Sequence, residues 1–244
     1  MPPGSKKDGN ERLEGETVPI ADEQRDFYGE LFRRHGDDPR ALSHRDPPTQ
    51  QERFYRMSRL FGRERGPFTI HEVGCGLGHF GEYLAERFPE AAYSGSEVNP
   101  EFVEACRQRF PQGRFFLRDV SRHFPEDRYD FVTLSGVFNI PLSASRDAWR
   151  EFIHGMLESM YRMANKGIAV DFLSGYCDAD RMSPDLHYQA EKEILDFAAA
   201  ELSRHFELDG SGPLYEYTLR VYRPRYVRTF YGEPEFSRYF GSDD

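Results

Sequence analysis

The sequence predicts an α/β fold, a Rossmann-like and mostly parallel sheet of seven strands with helices on both faces. Short apolar runs alternate along the chain with longer segments of helical periodicity, a pattern typical of parallel strands joined by helices. The last two strand-like segments are separated only by a Gly-Ser-Gly-Pro turn, so we expect them to pair antiparallel.

The N-terminal part of the chain predicts helices that precede the sheet. Residues 1–20 lack the apolar core of a signal peptide and predict a disordered leader. Apolar side chains at helical spacing then predict helices over residues 22–36 and 49–60. With the proline-rich loop between them, these helices form a predicted cap, residues 21–65.

The elements of the sheet domain, residues 66–224, follow in alternation. The predicted strands are 68–73, 92–97, 114–120, 129–136 and 167–174, followed by the antiparallel pair within 206–224. The predicted helices are 78–88, 100–110, 145–164 and 191–205, the third of them ended by Asn165-Lys166-Gly167. Residues 225–244 form an aromatic and acidic tail.

Composition narrows the class of partner. The formal net charge of −10 disfavours a nucleic-acid backbone or an anionic membrane surface, because both would repel the chain. No apolar run approaches the roughly 20 residues that cross a bilayer. The three cysteines are widely separated and form no Cys-x-x-Cys motif, which is typical of a reduced, cytoplasmic protein without a zinc site. We predict neither nucleic acid, membrane nor metal as a partner, and a homodimer is compatible with the sequence.

The glycine-rich stretch "FTIHEVGCGLGHFGEYL", residues 68–84, can be read in two registers. From Gly76 it spells Gly-x-Gly-x-x-Gly, the dinucleotide pattern, and from Glu72 it spells acidic-x-Gly-x-Gly-x-Gly. A dinucleotide site places its first glycine directly after the strand, and a loop that starts at Gly76 begins too late. Counted from Gly74 instead, the third glycine position holds His79. The second register therefore fits better.

In this register the chain resembles class I S-adenosylmethionine-dependent methyltransferases of the bacterial small-molecule type, over about residues 66–175. Further carboxylates end the next two strands, Glu97 in "YSGSEVNP" and Asp119 in "FFLRDVSRHFP", and "DRYDFVTLSGVFN" resembles the fourth motif of the family. The resemblance implies a sheet order of 3-2-1-4-5-7-6, with strand 7 antiparallel, and S-adenosylmethionine as the cofactor.

The resemblance also implies roles for individual residues. Glu72 would organise the glycine loop, Glu97 would accept both ribose hydroxyls, and Asp119 would receive the adenine amino group. The implied cofactor-binding residues are Glu72, Gly74, Gly76, Gly78, Glu97, Val98, Asp119, Val120 and Ser135. From the cap we expect Tyr28 to close over the cofactor and Arg53 to pair with its carboxylate, because a guanidinium forks well onto a carboxylate.

The acceptor is expected at the carboxyl ends of strands four and five. Transfer from a sulfonium mainly requires alignment, exclusion of water and, for an oxygen or ammonium acceptor, removal of a proton. Asp171 or His187 could remove it, the alternative being a capping or surface role for both residues. A divalent metal bound by the nearby carboxylates is a further alternative. The predicted substrate-binding residues are Phe138, Asn139, Tyr176, Tyr188 and Tyr215.

The sequence therefore predicts an enzyme that methylates an oxygen or nitrogen, less readily a carbon, of a small polar metabolite. Two alternatives stay open from the sequence alone. One is an NAD-dependent oxidoreductase, since Glu97 would suit a dinucleotide ribose equally well. The other is an inactive methyltransferase fold that serves as a binding subunit.

Overall fold

The computed structural model describes residues 17–42, 46–122 and 124–240. Most of the predicted leader, residues 1–16, lies outside the described residues. The first helix, α1, spans Thr17–His35 and so begins inside the segment predicted as leader. It is followed by a 3₁₀ turn over Pro39–Leu42.

One mixed sheet forms the centre of the molecule, and its order is β3-β2-β1-β4-β5-β8-β7. Its strands are β1 Phe68–Val73, β2 Ala91–Glu97, β3 Arg114–Leu117, β4 Tyr129–Leu134, β5 Ala164–Ser174, β6 Tyr188–Gln189, β7 Phe206–Asp209 and β8 Glu216–Tyr222. β8 runs antiparallel to both β5 and β7. The predicted fold is confirmed. The two-residue β6, which pairs with β5, was not predicted, and it shifts the numbering of the last two strands by one.

The remaining helices are α2 Pro47–Ser58, α3 His79–Arg87, α4 Pro100–Arg109, α5 Arg146–Met163, α6 Glu191–Phe197 and α7 Pro224–Arg228. Polar side chains start several of them by accepting a free backbone N–H of the first turn. Asp46 accepts from Thr49 at 2.9 Å, Asn99 from Glu101 at 2.8 Å, and Ser145 from Ala148 at 3.2 Å. No helix within the described residues is both long and apolar enough to cross a membrane.

Two boundaries differ from the sequence prediction. Asn165-Lys166-Gly167, predicted as a helix stop and turn, lies within β5, where Gly167 pairs with both Phe131 and Tyr222. The polar side chain of Lys166 is tolerated there because it binds Glu64 at 2.8 Å and Asp130 at 3.2 Å. The predicted helix 191–205 ends as an α-helix at Phe197 and continues as a π-helical turn over Ala198–Leu202.

Apolar side chains cover both faces of the sheet. On one face α5 packs its buried Trp149, Phe152 and Leu157 onto β4, β5 and β8. On the other face α2 and α3 form a second core, which includes Phe54 and Phe80. The tail joins this second core, because Tyr226 is buried in it and donates its hydroxyl to Glu64 at 2.7 Å. With both faces covered, the carboxyl ends of the parallel strands remain as the place for a ligand.

Candidate functional site

A cavity of about 960 Å³, counted to its open mouth, lies at the carboxyl ends of β1, β2 and β4. It adjoins the segment that follows β3, and α1 and α2 supply its cover. Most of the predicted cofactor-binding residues line it, namely Tyr28, Glu72, Gly74, Gly76, Glu97, Val98, Asp119, Val120 and Ser135. Gly78 and Arg53 do not line it.

The glycine loop after β1 requires glycine at its alternate positions. Gly74 and Gly76 have φ angles of +67° and +51°, a left-handed backbone that other residues rarely adopt. A Cβ on Gly74 would also lie 2.5 Å from Cγ2 of Val137, and one on Gly76 would lie 2.9 Å from Cδ2 of Leu42. Gly78, at +78°, is the N-cap residue of α3. These three glycines are those of the acidic-x-Gly-x-Gly-x-Gly register.

Glu97 fastens the end of β2 to this loop. Its carboxylate accepts three backbone N–H groups, from Gly76 at 3.0 Å, Val98 at 2.7 Å and Asn99 at 3.1 Å. Burial raises the pKa of this carboxyl, and the three backbone hydrogen bonds oppose that shift. Since a carboxylate has about four acceptor positions, the side chain can still receive a hydroxyl group from the cavity.

Glu72 lies buried at the end of β1, where the hydroxyl of Tyr93 donates to its carboxylate. Burial raises its pKa to about 8, against the opposing effect of the Tyr93 hydrogen bond, and the nearby carboxylates Glu97 and Asp171 add to the rise. Glu72 therefore holds a proton over much of the neutral range.

Asp119, which lines the cavity, has one carboxylate oxygen without a partner among the described residues. Its Oδ1 accepts the backbone N–H of Ser121 at 2.8 Å and the hydroxyl of the same residue at 2.6 Å. Its Oδ2 is buried and, among the described residues, has no hydrogen-bond partner. A buried carboxylate oxygen without a donor is costly, so this atom fits a ligand that brings an N–H group.

Comparison with known proteins agrees with this geometry. A family model described as "Methyltransferase domain" matches residues 71–167. A protein of Mycobacterium tuberculosis (strain ATCC 25618 / H37Rv), Rv1506c, whose name describes it as a methyltransferase, is 30% identical over 155 residues, which are 64% of this chain and 93% of that protein. The chain belongs to the methyltransferase family. With this membership, the predicted class I S-adenosylmethionine-dependent enzyme and its cofactor are confirmed, and the nicotinamide alternative is set aside.

Other relatives match this methyltransferase over less of their length or at lower identity. The trans-aconitate 2-methyltransferase of Rhodopseudomonas palustris (strain BisB5) is 32% identical over 72 residues, so the chain spans only 28% of that protein. The crystal structure of the N-methyltransferase NodS from Bradyrhizobium japonicum, in complex with S-adenosyl-L-homocysteine, superimposes with a TM-score of 0.60 at 20% identity. That match covers 81% of this chain and 98% of NodS. At this identity the likeness concerns the fold.

In the methyltransferase, Asp171 binds two residues of the cavity wall. It is buried, does not line the cavity, and accepts the hydroxyl of Ser135 and the backbone N–H of Gly136, the latter at 2.8 Å. Burial raises the pKa of Asp171, and the nearby charge of Arg53 opposes the shift. Both oxygens of Asp171 are engaged by Ser135 and Gly136, the residues that follow β4, and its role as a general base stays a prediction.

Arg53 is engaged elsewhere as well. Its Nε donates to Oε2 of the buried Glu216 at 2.7 Å, and a second guanidinium nitrogen binds Oε1. Both side chains are largely withdrawn from solvent, where such a pair resists exchange with another anion. The structure thus pairs Arg53 with a carboxylate of the protein, and its predicted contact with the cofactor carboxylate would require this pair to open.

The other predicted base, His187, lies outside the cavity. Its Nε2 is 3.1 Å from Oε1 of Gln189, and its ring packs at 6.1 Å from that of Trp149. Burial lowers the pKa of this imidazole. His187 is therefore placed as a packed residue of the loop before β6, away from the carboxylates of the site.

The five predicted substrate residues do not meet at the cavity either. Phe138 is buried in the core against Phe152 and Phe172, and Asn139 follows it with a buried amide oxygen. The remaining three are tyrosines of the outer loops. Tyr176 is 84% exposed, Tyr188 accepts the N–H of Ser183 at 2.9 Å, and Tyr215 donates to Asp178 at 2.6 Å.

The cavity is also lined by polar residues outside the predicted set of site residues, among them Gln24, Gln50, His79 and Arg118. Gln50 donates from Nε2 to Nδ1 of His79 at 3.2 Å, so the proton of the imidazole resides on Nε2, which faces Asp37 at 3.3 Å. A sequence signal existed for Gln50, because a polar side chain on the apolar face of α2, one turn before Phe54, is unusual.

No metal site is apparent in the described part of the chain. Within residues 17–42, 46–122 and 124–240, no group of three or more His, Cys, Asp or Glu side chains could hold an ion.

Proposed function

We propose that this methyltransferase transfers a methyl group from S-adenosylmethionine to an oxygen or nitrogen atom of a small polar metabolite. One observation carries the proposal. Three acidic side chains at or just after the ends of neighbouring strands, Glu72, Glu97 and Asp119, line one cavity beside a glycine loop whose backbone conformation disfavours other residues.

Different residues of the cavity would bind different parts of the cofactor. Oδ2 of Asp119 would receive the adenine amino group, because it is the buried acceptor that lacks a donor in the protein. The remaining acceptor position of Glu97 would bind a ribose hydroxyl. Gly74 and Gly76 give the loop its left-handed turns, so that its backbone can approach the methionine part. When bound, the cofactor supplies an electrophilic methyl group on a sulfonium.

The acceptor side of the cavity is both aromatic and polar. Phe54 and Phe80, whose ring centroids are 5.2 Å apart, form one wall, and the amide of Gln50 and the imidazole of His79 lie beside them. These neutral hydrogen-bonding groups suit a hydroxyl or amine on a small molecule. Among the described residues that line the cavity His79 is the only histidine. It becomes the candidate proton acceptor, in place of His187, when the amide of Gln50 leaves Nδ1.

Two measurements test the proposal. Calorimetry should show S-adenosylhomocysteine bound by the wild type and bound more weakly by Glu97→Gln, whereas Glu90→Gln, an exposed control, should bind as the wild type does. Release of S-adenosylhomocysteine from S-adenosylmethionine is then followed against a panel of hydroxylated and aminated metabolites. Absence of cofactor binding would contradict the proposal, whereas binding without turnover across the panel would favour the inactive-subunit alternative.

The role of His79 has its own readout. Removal of a general base lowers kcat about 10²-fold to 10⁴-fold and removes the corresponding limb of the pH profile. We expect His79→Gln to show this loss with little change in the affinity for S-adenosylhomocysteine. A kcat within threefold of the wild type would leave His79 as a structural contact of Gln50.

A further inference from the structure

A second cavity lies at the opposite edge of the sheet from the cofactor site. It measures about 1180 Å³ including its open mouth, and its walls come from the end of α2 with the turn that follows, from the start of β7, and from β8 with the tail. Tyr222, one of its wall residues, pairs with Gly167 near the start of β5. The cavity thus belongs to the amino-terminal edge of the parallel strands, whereas Glu72 and Glu97 end β1 and β2 at the other edge.

Aromatic rings form much of this wall and remain open to solvent. Tyr55 is 51%, Tyr231 42% and Phe230 38% exposed, all on one concave surface. On this concave surface the three rings expose flat apolar faces to solvent, and the two tyrosines add hydroxyl groups at the ring edges. Such a surface suits a planar ring that can stack on it.

The same wall carries two exposed arginines, and the carboxylates Asp209 and Glu207 act on Arg59 only from beyond ion-pair distance. Arg59 makes a 3.5 Å contact with the hydroxyl of Tyr55, and the guanidinium of Arg63 lies 4.7 Å above the ring of Phe230. In the part of the chain that the structure describes, neither arginine forms an ion pair. Glu207, the one carboxylate among the described wall residues, is already bound by Nε of Arg220 at 3.0 Å.

Two exposed guanidinium groups that have no close ion pair within the described ranges stand out on a chain whose formal net charge is −10. A guanidinium binds phosphate and carboxylate groups through paired N–H donors and also stacks on aromatic rings. We propose that this second cavity binds a small planar aromatic molecule that carries an anionic group, with the ring among Tyr55, Phe230 and Tyr231 and the anion between Arg59 and Arg63. Because it lies across the sheet from the glycine loop, this ligand is distinct from the methyl acceptor.

The test uses 1-naphthyl phosphate as the probe, titrated calorimetrically into the full chain with the cofactor site saturated by S-adenosylhomocysteine. Two control ligands represent the parts of the probe: inorganic phosphate carries the anion without the ring, and 1-naphthol carries the ring without the anion. We expect one equivalent of 1-naphthyl phosphate to bind with a Kd of about 1 mM or tighter, and at least tenfold more tightly than either part.

Matched variants locate the site. Arg59→Gln with Arg63→Gln should weaken binding about tenfold or more, because each removes charged hydrogen bonds to the anion. Tyr231→Ala should weaken binding by loss of the ring contact, and Arg150→Gln, on the exposed side of α5, should change nothing. Cofactor affinity, measured in parallel, should be unaltered throughout. The proposal fails if 1-naphthyl phosphate does not bind, if 1-naphthol binds equally well, or if the double variant binds like the wild type.

Discussion

The carboxylate of Asp171 accepts the hydroxyl of Ser135, and this bond ties β5 to the residues that follow β4. The same carboxylate accepts the backbone N–H of Gly136, whose φ of +76° turns the chain toward the cavity. Ser135 and Gly136 both line that cavity, whereas Asp171 does not. We therefore infer that Asp171 positions these two residues, while the charge of Arg53 acts on its carboxylate.

A substitution at Asp171 separates positioning from proton removal. Asp171→Asn keeps one acceptor oxygen and the shape of the side chain, so we expect kcat to fall less than tenfold, whereas loss of a base would cost about 10²-fold or more. Asp171→Ala leaves the Gly136 N–H unpaired and should lower the free energy of unfolding by about 1–3 kcal/mol. Steady-state kinetics and urea unfolding measure these effects, with the exposed Asp147→Asn as control.

Asp119 should contribute to cofactor affinity through its free oxygen. Asp119→Ala removes the acceptor for the adenine amino group, and we expect S-adenosylhomocysteine to bind about 1–3 kcal/mol more weakly. Calorimetry against Asp185→Asn, an exposed aspartate of the loop before β6, checks this. Equal affinity in the Asp119 variant would show that adenine is held by other groups.

The raised pKa of Glu72 predicts how stability depends on pH. The ordinary value for a glutamate is 4.5, and in the folded protein this carboxyl has a pKa of about 8. Between these two values the folded state keeps a proton that the unfolded chain releases, so the stabilisation present below about pH 4.5 is lost as pH rises toward 8. Glu72→Gln stays neutral and should flatten this decline.

Urea unfolding between pH 5 and pH 9 measures the slope for the wild type, for Glu72→Gln and for the exposed control Glu90→Gln. An identical slope in the wild type and Glu72→Gln would mean that Glu72 is ionised in the folded protein throughout.

Gly74 should tolerate no side chain. Gly74→Ala introduces a Cβ 2.5 Å from Val137 at a φ of +67°, which combines steric overlap with backbone strain. We expect a loss of about 1–3 kcal/mol of stability and a marked loss of cofactor affinity. Gly66→Ala is the matched control, because its Cβ would meet nothing within 4 Å. Thermal unfolding and calorimetry report the two effects, and equal results for both variants would contradict the assignment.

The Arg53–Glu216 pair predicts a stability effect that is separate from cofactor binding. Arg53→Met leaves Glu216 as a buried carboxylate without its main partner, and breaking such pairs costs about 3–5 kcal/mol. The double variant with Glu216→Gln should recover part of that loss. A fall in affinity for S-adenosylhomocysteine that persists in the double variant would instead restore Arg53 to the cofactor carboxylate.

Much of the fold and the cofactor side of the cavity could be predicted, because their signals are local. Glu72 and Glu97 end apolar strands and Asp119 closely follows a third, and parallel strands bring their carboxyl ends to one edge whatever else the chain does. The glycine spacing fixed the register of the loop in the same way.

The acceptor side could not be predicted from such signals. Asp171, His187 and Tyr215 have the right chemistry after the right strands, but the direction in which a loop side chain points is decided by tertiary partners such as Gln189 and Asp178. Gln24 and Gln50 reach the cavity from the cap helices, whose placement over the sheet no local pattern gives. The sequence around Lys166 predicts a helix stop. Its place within β5 depends on ion pairs with Glu64 and Asp130, which are distant in sequence.

Nε2 of Gln24 donates to the carbonyl oxygen of Val137 at 3.0 Å and so joins helix α1 to the far wall of the cavity. This bond holds part of the cover over the site, and the spent nucleoside has to leave past that cover. We therefore expect that loosening the bond would speed product release and weaken the exclusion of water.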